Sequence, residues 1–257
     1  MPSKPFSLPR RRTFSWLAGG LALASGCRPA GDDPPPATPT AMFSLFTFGD
    51  SILDCGRYNP HGIDPGQLLV RNDDRLFPEF RGQDLQSRRT ARLVHRAVDG
   101  ATVERLEHQA QGVQVAGDPV ALVTIGGNDL LRGLATDAGG GVRRFAGQLE
   151  DFCRRLPVRP IVLGTVYDPT FGDDARNFLG VDPRVARANH RRVNAIIRDV
   201  GQRYGAVADL HAHFLTGTPE WYTNTIEPSL VGASEVRRVF WAVLQARGLT
   251  SPLRAPS

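Results

Sequence analysis

The feature that most constrains what this chain can fold into is a rhythm: from Phe43 onward, short apolar runs alternate with longer amphipathic segments. A run that is apolar throughout suits a strand buried on both faces, and an amphipathic stretch between two such runs suits a crossover helix. The pattern specifies βαβ units around a mostly parallel sheet. Strands are expected at Phe43–Phe48, Val120–Ile125, Ile161–Val166 and Ala206–Leu210, with a further one near Arg92–Val98. Pro119, Pro160 and Gly205 act as breakers before three of them. Within Arg184–Tyr204, the residues Val193, Ile196, Ile197, Val200 and Tyr204 recur at spacings of three and four, so one helical face is apolar and should pack on the sheet. Val236, Val239, Phe240, Val243 and Leu244 repeat the logic in a last helix that stops near Gly248. Cys55 to Gln86 has little periodicity and reads as a long loop. It follows the first strand, which puts it at the carboxyl edge of the sheet where open α/β folds hold ligands, unless it is a surface insertion without function.

A chain of 257 residues, 41% of them hydrophobic, is long enough for one sizeable core, and the folded part is expected to span 43–249 with a short tail at 250–257. The formal charge of +5 invites a nucleic-acid reading, but Lys4, Arg10, Arg11 and Arg12 all lie in a first segment without Asp or Glu, and subtracting those four leaves +1. No concentrated basic face remains to neutralise phosphates, so nucleic acid is not an expected partner.

Residues 1–27 have the order of an export signal: the basic cluster Arg10–Arg12, an apolar run from Phe14 to Ala24, then small residues ending at Cys27. Arg11-Arg12-Thr13-Phe14 resembles a twin-arginine signal, and Ala24-Ser25-Gly26-Cys27 resembles a bacterial lipobox, with Ala24 where Leu is usual. The expectation is a lipoprotein held at the periplasmic face of a membrane through Cys27, followed by a Pro-rich tether over 28–42. The alternative is an ordinary cleaved signal and a soluble periplasmic or secreted protein. Cys55 and Cys153 then remain, either as a disulfide or as two separate buried thiols.

Two strand ends carry chemistry. Phe46-Thr47-Phe48-Gly49-Asp50-Ser51 is an apolar strand stopping at a glycine and a serine, which can present a hydroxyl and its own backbone N–H to a cleft. Val123-Thr124-Ile125-Gly126-Gly127-Asn128-Asp129 is a second such end, where Asn128 can donate to a developing oxyanion and Asp129 can cap the following helix. Each alone is also an ordinary turn. Together with Gly100 in Val98-Asp99-Gly100-Ala101-Thr102, they resemble the first three blocks of the SGNH hydrolases, the GDSL esterase and lipase family, in order and spacing over about 43–249.

The resemblance implies a three-layer α/β/α sandwich of the flavodoxin-like SGNH type. It also implies ester or acyl hydrolysis without metal or other cofactor, a nucleophile at Ser51 supported by Asp50, and an oxyanion hole of the Ser51 N–H, the Gly100 N–H and the Asn128 amide. The implied partner is a small-molecule, glycan or lipid ester. In the fourth block the family expects Asp, two residues, then a catalytic His and Pro. Here Asn224-Thr225-Ile226-Glu227-Pro228 places Asn224 at the Asp position and Glu227 at the His position, with Pro228 and Gly232 holding the register. A glutamate near its ordinary pKa is a poor proton donor at neutral pH, so Glu227 can serve as base only if desolvated, by a wall such as Trp221, Tyr222 and Ile226, and oriented by a donor such as Asn224. His211 or His213, after the strand Ala206–Leu210, is the alternative base; His61 is a remoter one, and His95, His108 and His190 read as surface or helix residues. A catalytically silent glycan- or acyl-binding protein on the same fold, and an acyltransferase, are the competing functions.

Overall fold

The computed structural model describes residues 42–251. The expected export signal, Cys27 and nearly all of the expected tether lie outside the described residues, as do the last six. Five strands form one parallel sheet: β1 (Phe43–Gly49), β2 (Ala91–His95), β3 (Asp118–Thr124), β4 (Ile161–Gly164) and β5 (Gly205–Ala208), in the order β2-β1-β3-β4-β5. The helices are α1 (Pro65–Val70), α2 (Leu106–Ala110), α3 (Gly127–Leu131), α4 (Gly140–Arg155), α5 (Pro183–Tyr204), α6 (Leu210–Phe214) and α7 (Leu230–Ala246). A two-stranded antiparallel hairpin, β6 (Tyr222–Thr223) and β7 (Glu227–Pro228), precedes α7.

Alternation along the strands divides the core in two. Phe43, Leu45, Val120, Leu122, Val162 and Ala208 point to one face, covered by Val236, Phe240, Trp241 and Leu244 of α7. Phe46, Phe48, Ala121, Val123, Ile161 and Leu163 point to the other, covered by Phe145, Leu149 and Phe152 of α4 and Val193, Ile197 and Val200 of α5. The result is the α/β/α sandwich expected from sequence. Cys153 lies in the second core, and both Cys55 and Cys153 are buried free thiols, so the open question of a disulfide resolves as two separate cysteines.

Boundaries differ for local reasons. Ala206–Leu210 is cut to Gly205–Ala208 because Asp209 accepts the Ala212 N–H and caps α6. The expected loop 55–86 contains α1, and Leu68, Phe77 and Phe80 form a small core of their own. Arg237 of α7 is fully buried there, with its guanidinium 3.3 Å from the Phe80 ring centroid and Nη1 donating to Asn72 Oδ1 at 2.9 Å. The loop is therefore clamped to the last helix rather than trailing over the surface. Thr250 is buried and the Ser251 carbonyl accepts from Arg89, so the folded part runs past 249 into the expected tail.

The strand order matters for function. From β1 the chain moves to β2 on one side and then to β3 on the other, so the direction of winding reverses between β1 and β3. The carboxyl ends of these two strands flank the switch point, the usual crevice of an open α/β sheet.

Candidate active site

Ser51 and Asn128 follow those two strand ends, and both line one cavity of about 120 Å³. The strand ends are pinned to each other: the Asp50 N–H donates to the Thr124 carbonyl at 3.1 Å, and a Cβ on Gly49, whose φ is +116°, would stand 1.7 Å from that oxygen. Only glycine permits this approach. The buried Gln109 amide brackets Gly49 from the other side, accepting its N–H at 2.7 Å and donating to its carbonyl at 2.8 Å. Nothing in the pattern around Gln109 announces this role.

Asp50 is buried beneath the serine. Its Oδ1 accepts from the Thr124 hydroxyl at 2.9 Å and from the Ile52 N–H at 3.2 Å. Burial nevertheless pushes its pKa up to about 7, with the charges of Asp129 and Glu227 adding to the rise.

Gly100 occupies a turn in which the Ala101 N–H donates to the Val98 carbonyl, and its φ of +74° suits glycine at that position. The segment is gripped on every side. The Val98 N–H donates to Gly49 O at 2.9 Å, the Asp99 N–H to Asp54 Oδ2 at 2.8 Å, and Arg132 to Gly100 O at 3.0 Å. Asp129 does not cap α3 as expected, since Gly126 takes the N-cap position. Its carboxylate instead accepts the Val103 N–H through both oxygens at 3.2 Å, tying the third block to the second, and burial raises its pKa to about 6.

Three donors in this region have no protein partner among the described residues: the Ser51 N–H, the Gly100 N–H and the Asn128 side-chain amide. Ser51 is buried, while Gly100 and Asn128 are half-buried on segments that these hydrogen bonds hold in place.

The GDSL-like Lipase/Acylhydrolase family matches residues 47–232. The chain belongs to that family. Among solved structures, the lipase/acylhydrolase from Enterococcus faecalis aligns with a TM-score of 0.58 at 18% identity, covering 83% of this chain and 100% of its own. LAE5, an alpha/beta hydrolase from the metagenome of Lake Arreo, gives 0.55 at 22% over 80% and 95%. The acetylxylan esterase Axe2 from Geobacillus stearothermophilus gives 0.53 at 20% over 78% and 93%. These identities speak to the fold. No curated protein sequence matches the chain at comparable significance. Family membership supports an ester hydrolase.

Within this GDSL-family fold the fourth block is unusual in substance as well as in letters. Glu227 opens β7, and its hairpin is held by the Tyr167 hydroxyl, which donates to the Ile226 carbonyl at 2.6 Å. The glutamate is only 9% exposed. Burial raises its pKa above the ordinary value, the Ser51 hydroxyl opposes the rise as a hydrogen-bonding neighbour, and the Asp99 charge adds to it. The contact is loose: Ser51 makes no hydrogen bond of full geometry, and Glu227 Oε2 is buried without a partner. Catalytic hydrogen bonds in ligand-free sites are commonly long in this way.

Asn224 does not serve as the orienting donor. It sits exposed at the hairpin tip with φ of +46°, a conformation asparagine tolerates, and makes no hydrogen bond to Glu227. Of the residues expected to wall Glu227, Trp221 stacks on His213 at 5.1 Å, Tyr222 meets Tyr167 edge-on at 5.3 Å, and Ile226 lines the Ser51 cavity.

The histidines are engaged elsewhere. His213 Nε2 pairs with Glu235 at 2.8 Å, and His211 packs against His190 at 5.0 Å; neither lines the cavity. His190, on helix α5 as expected, does line it. Its Nε2 bonds to the Val166 carbonyl at 2.8 Å, and burial depresses its pKa to about 4, so it is neutral near pH 7.

Proposed function

We propose that the protein is a serine ester hydrolase in which Ser51 forms an acyl-enzyme and Glu227 is the base. The observation that carries this reading is the buried Ser51, whose hydroxyl neighbours the buried carboxylate of Glu227 with its Oε2 unpaired, in a fold that also leaves the Ser51 N–H and the Asn128 amide unpaired at the same cavity. Glu227 takes the Ser51 proton as Oγ attacks the ester carbonyl, and the carbonyl oxygen collects its charge between the Ser51 N–H, the Gly100 N–H and the Asn128 amide. The proton passes to the departing alkoxide, and the same carboxylate then activates a water that releases the acid. Desolvation suits both halves of this cycle, because it brings the carboxyl closer to neutrality than an exposed glutamate.

The acyl group lodges in the cavity beside Ser51, whose walls include Leu130, Leu131, Phe178 and Leu179. The ester is that of a small molecule or a glycan. Fluorophosphonate is the decisive reagent: it should attach covalently to Ser51 in the wild type and not in Glu227→Gln. A wild-type protein that it does not label, and that hydrolyses no ester, is a binding protein instead.

A further inference from the structure

We propose that Asp54, Asp64 and His95 form a divalent transition-metal site, separate from the catalytic groups, that clamps the segment carrying Gly100. One ligand atom from each of the three lies within 4.8 Å of the other two. They come from three places in the fold: the turn after the nucleophile, the N-cap of α1 and the end of β2.

The geometry favours a metal over a simple ion pair. His95 Nε2 and Asp54 Oδ1 form a hydrogen bond of 3.4 Å, longer than the 2.7–2.9 Å of a strong charge-assisted one. Two ligands of one tetrahedral zinc, each ~2.0–2.1 Å from it, stand about 3.4 Å apart. The surroundings are those of ligands held from behind. His95 Nδ1 bonds to the Thr47 hydroxyl at 2.8 Å, which leaves Nε2 as the coordinating nitrogen when Nδ1 carries the proton. Asp64 Oδ1 accepts the Gly56 N–H at 2.6 Å, and Asp54 Oδ2 accepts the Asp99 N–H at 2.8 Å. The Asp54 and His95 side chains are 28% and 29% exposed, which provides a route of entry. Arg57, the cation closest to competing, is paired with the Asp99 carboxylate.

A donor set of one imidazole and two carboxylates suits zinc, and its neighbours in the first transition row, better than calcium or magnesium. Through Asp54 the ion would reach the Asp99 N–H, one residue from the Gly100 donor, without touching the reacting atoms.

The test titrates ZnCl2 into the untagged full chain by calorimetry, with thermal unfolding and Co2+ absorption in parallel. One equivalent should bind, the melting temperature should rise with Zn2+, and Co2+ should show tetrahedral bands without thiolate charge transfer. His95→Gln and Asp64→Asn should each weaken binding at least tenfold, and Thr47→Val by roughly 10–100-fold, because it removes the hydroxyl that orients the His95 ring. No saturable binding by the wild type overturns the proposal, as does unchanged binding in a folded His95→Gln/Asp64→Asn double variant. Should that variant not fold, protection of His95 from diethylpyrocarbonate by Zn2+ in the wild type decides, lack of protection counting against the site. A thiolate band would place the ion on a cysteine and also overturn it. Binding and melting are read independently of turnover, so failure here leaves the ester-hydrolase reading intact.

Discussion

With Glu227 as the proposed base in place of an imidazole, the active form is still the deprotonated one, but it is negatively charged rather than neutral. Glu227 works as a base only when ionised, and burial holds its pKa above the ordinary 4.5. Turnover should therefore fall as pH drops through a value higher than that of an exposed glutamate, and a kcat–pH profile would show it. Glu227→Gln should lose acylation at every pH, because the amide keeps the shape but accepts no proton. Asn128→Ala tests the opposite side of the carbonyl: kcat should fall about 10²–10³-fold with the melting temperature unchanged, the usual loss for one oxyanion donor. Asp50 makes a prediction about stability. Its folded pKa of about 7 lies above the ordinary 3.8, so between those values the folded state holds a proton that the unfolded state has released, and stability falls as pH rises. At pH 8 the cost is on the order of 4 kcal/mol. Asp50→Asn keeps an oxygen for Thr124 and Ile52 and removes that cost. Its melting temperature should exceed the wild type's at pH 8, with the gap closing toward pH 4.

At the scale of elements, the catalytic carboxylate depends on a hairpin of two residues per strand, too short to be stable alone. Tertiary contacts hold it. The Tyr167 hydroxyl secures one strand, and the first turn of α7 presses against the other end so closely that a Cβ on Gly232 would stand 2.0 Å from the Trp221 carbonyl. Gly232→Ala should destabilise the fold by about 1–3 kcal/mol, as overpacking does, and lower kcat by displacing Glu227. Denaturant midpoints together with turnover would check both. The glycine's spacing from Pro228 is visible in the sequence, but its reason is this contact between elements.

For the whole molecule, the reversal of winding between β1 and β3 brings together residues 77 positions apart, Ser51 and Asn128, and leaves the proposed nucleophile beside a largely apolar cavity. None of the helices among the described residues is long and apolar enough to cross a membrane. From the basic, apolar and small-residue order of the first segment, we propose that the chain is attached to a membrane through a lipid on Cys27. Cell fractionation should find the full chain with membranes and a Cys27→Ala variant released from them. A soluble wild type beginning at a residue other than Cys27 would exclude the anchor.

Local chemistry was enough to determine much of this protein. Continuous apolar runs marked the strands, a spacing of three and four marked helices α5 and α7, and the glycine-ended strands marked Ser51 and Asn128, because backbone freedom and hydrophobic spacing are properties of neighbouring residues, while Gly100 came from the resemblance to the family. The helical character of α1 was hidden in a stretch rich in turn formers, and the loop that follows it is held by a distant residue, Arg237, through Asn72. What an isolated residue does with its charge was decided only by the folded chain. Burial raised Asp50 and Glu227, neutralised His190 and turned Asp129 from an expected cap into a tie to Val103. The same folding left Asn224 in solvent. Desolvation and long-range hydrogen bonds depend on segments far apart in the chain, and no local pattern encodes which of them will meet.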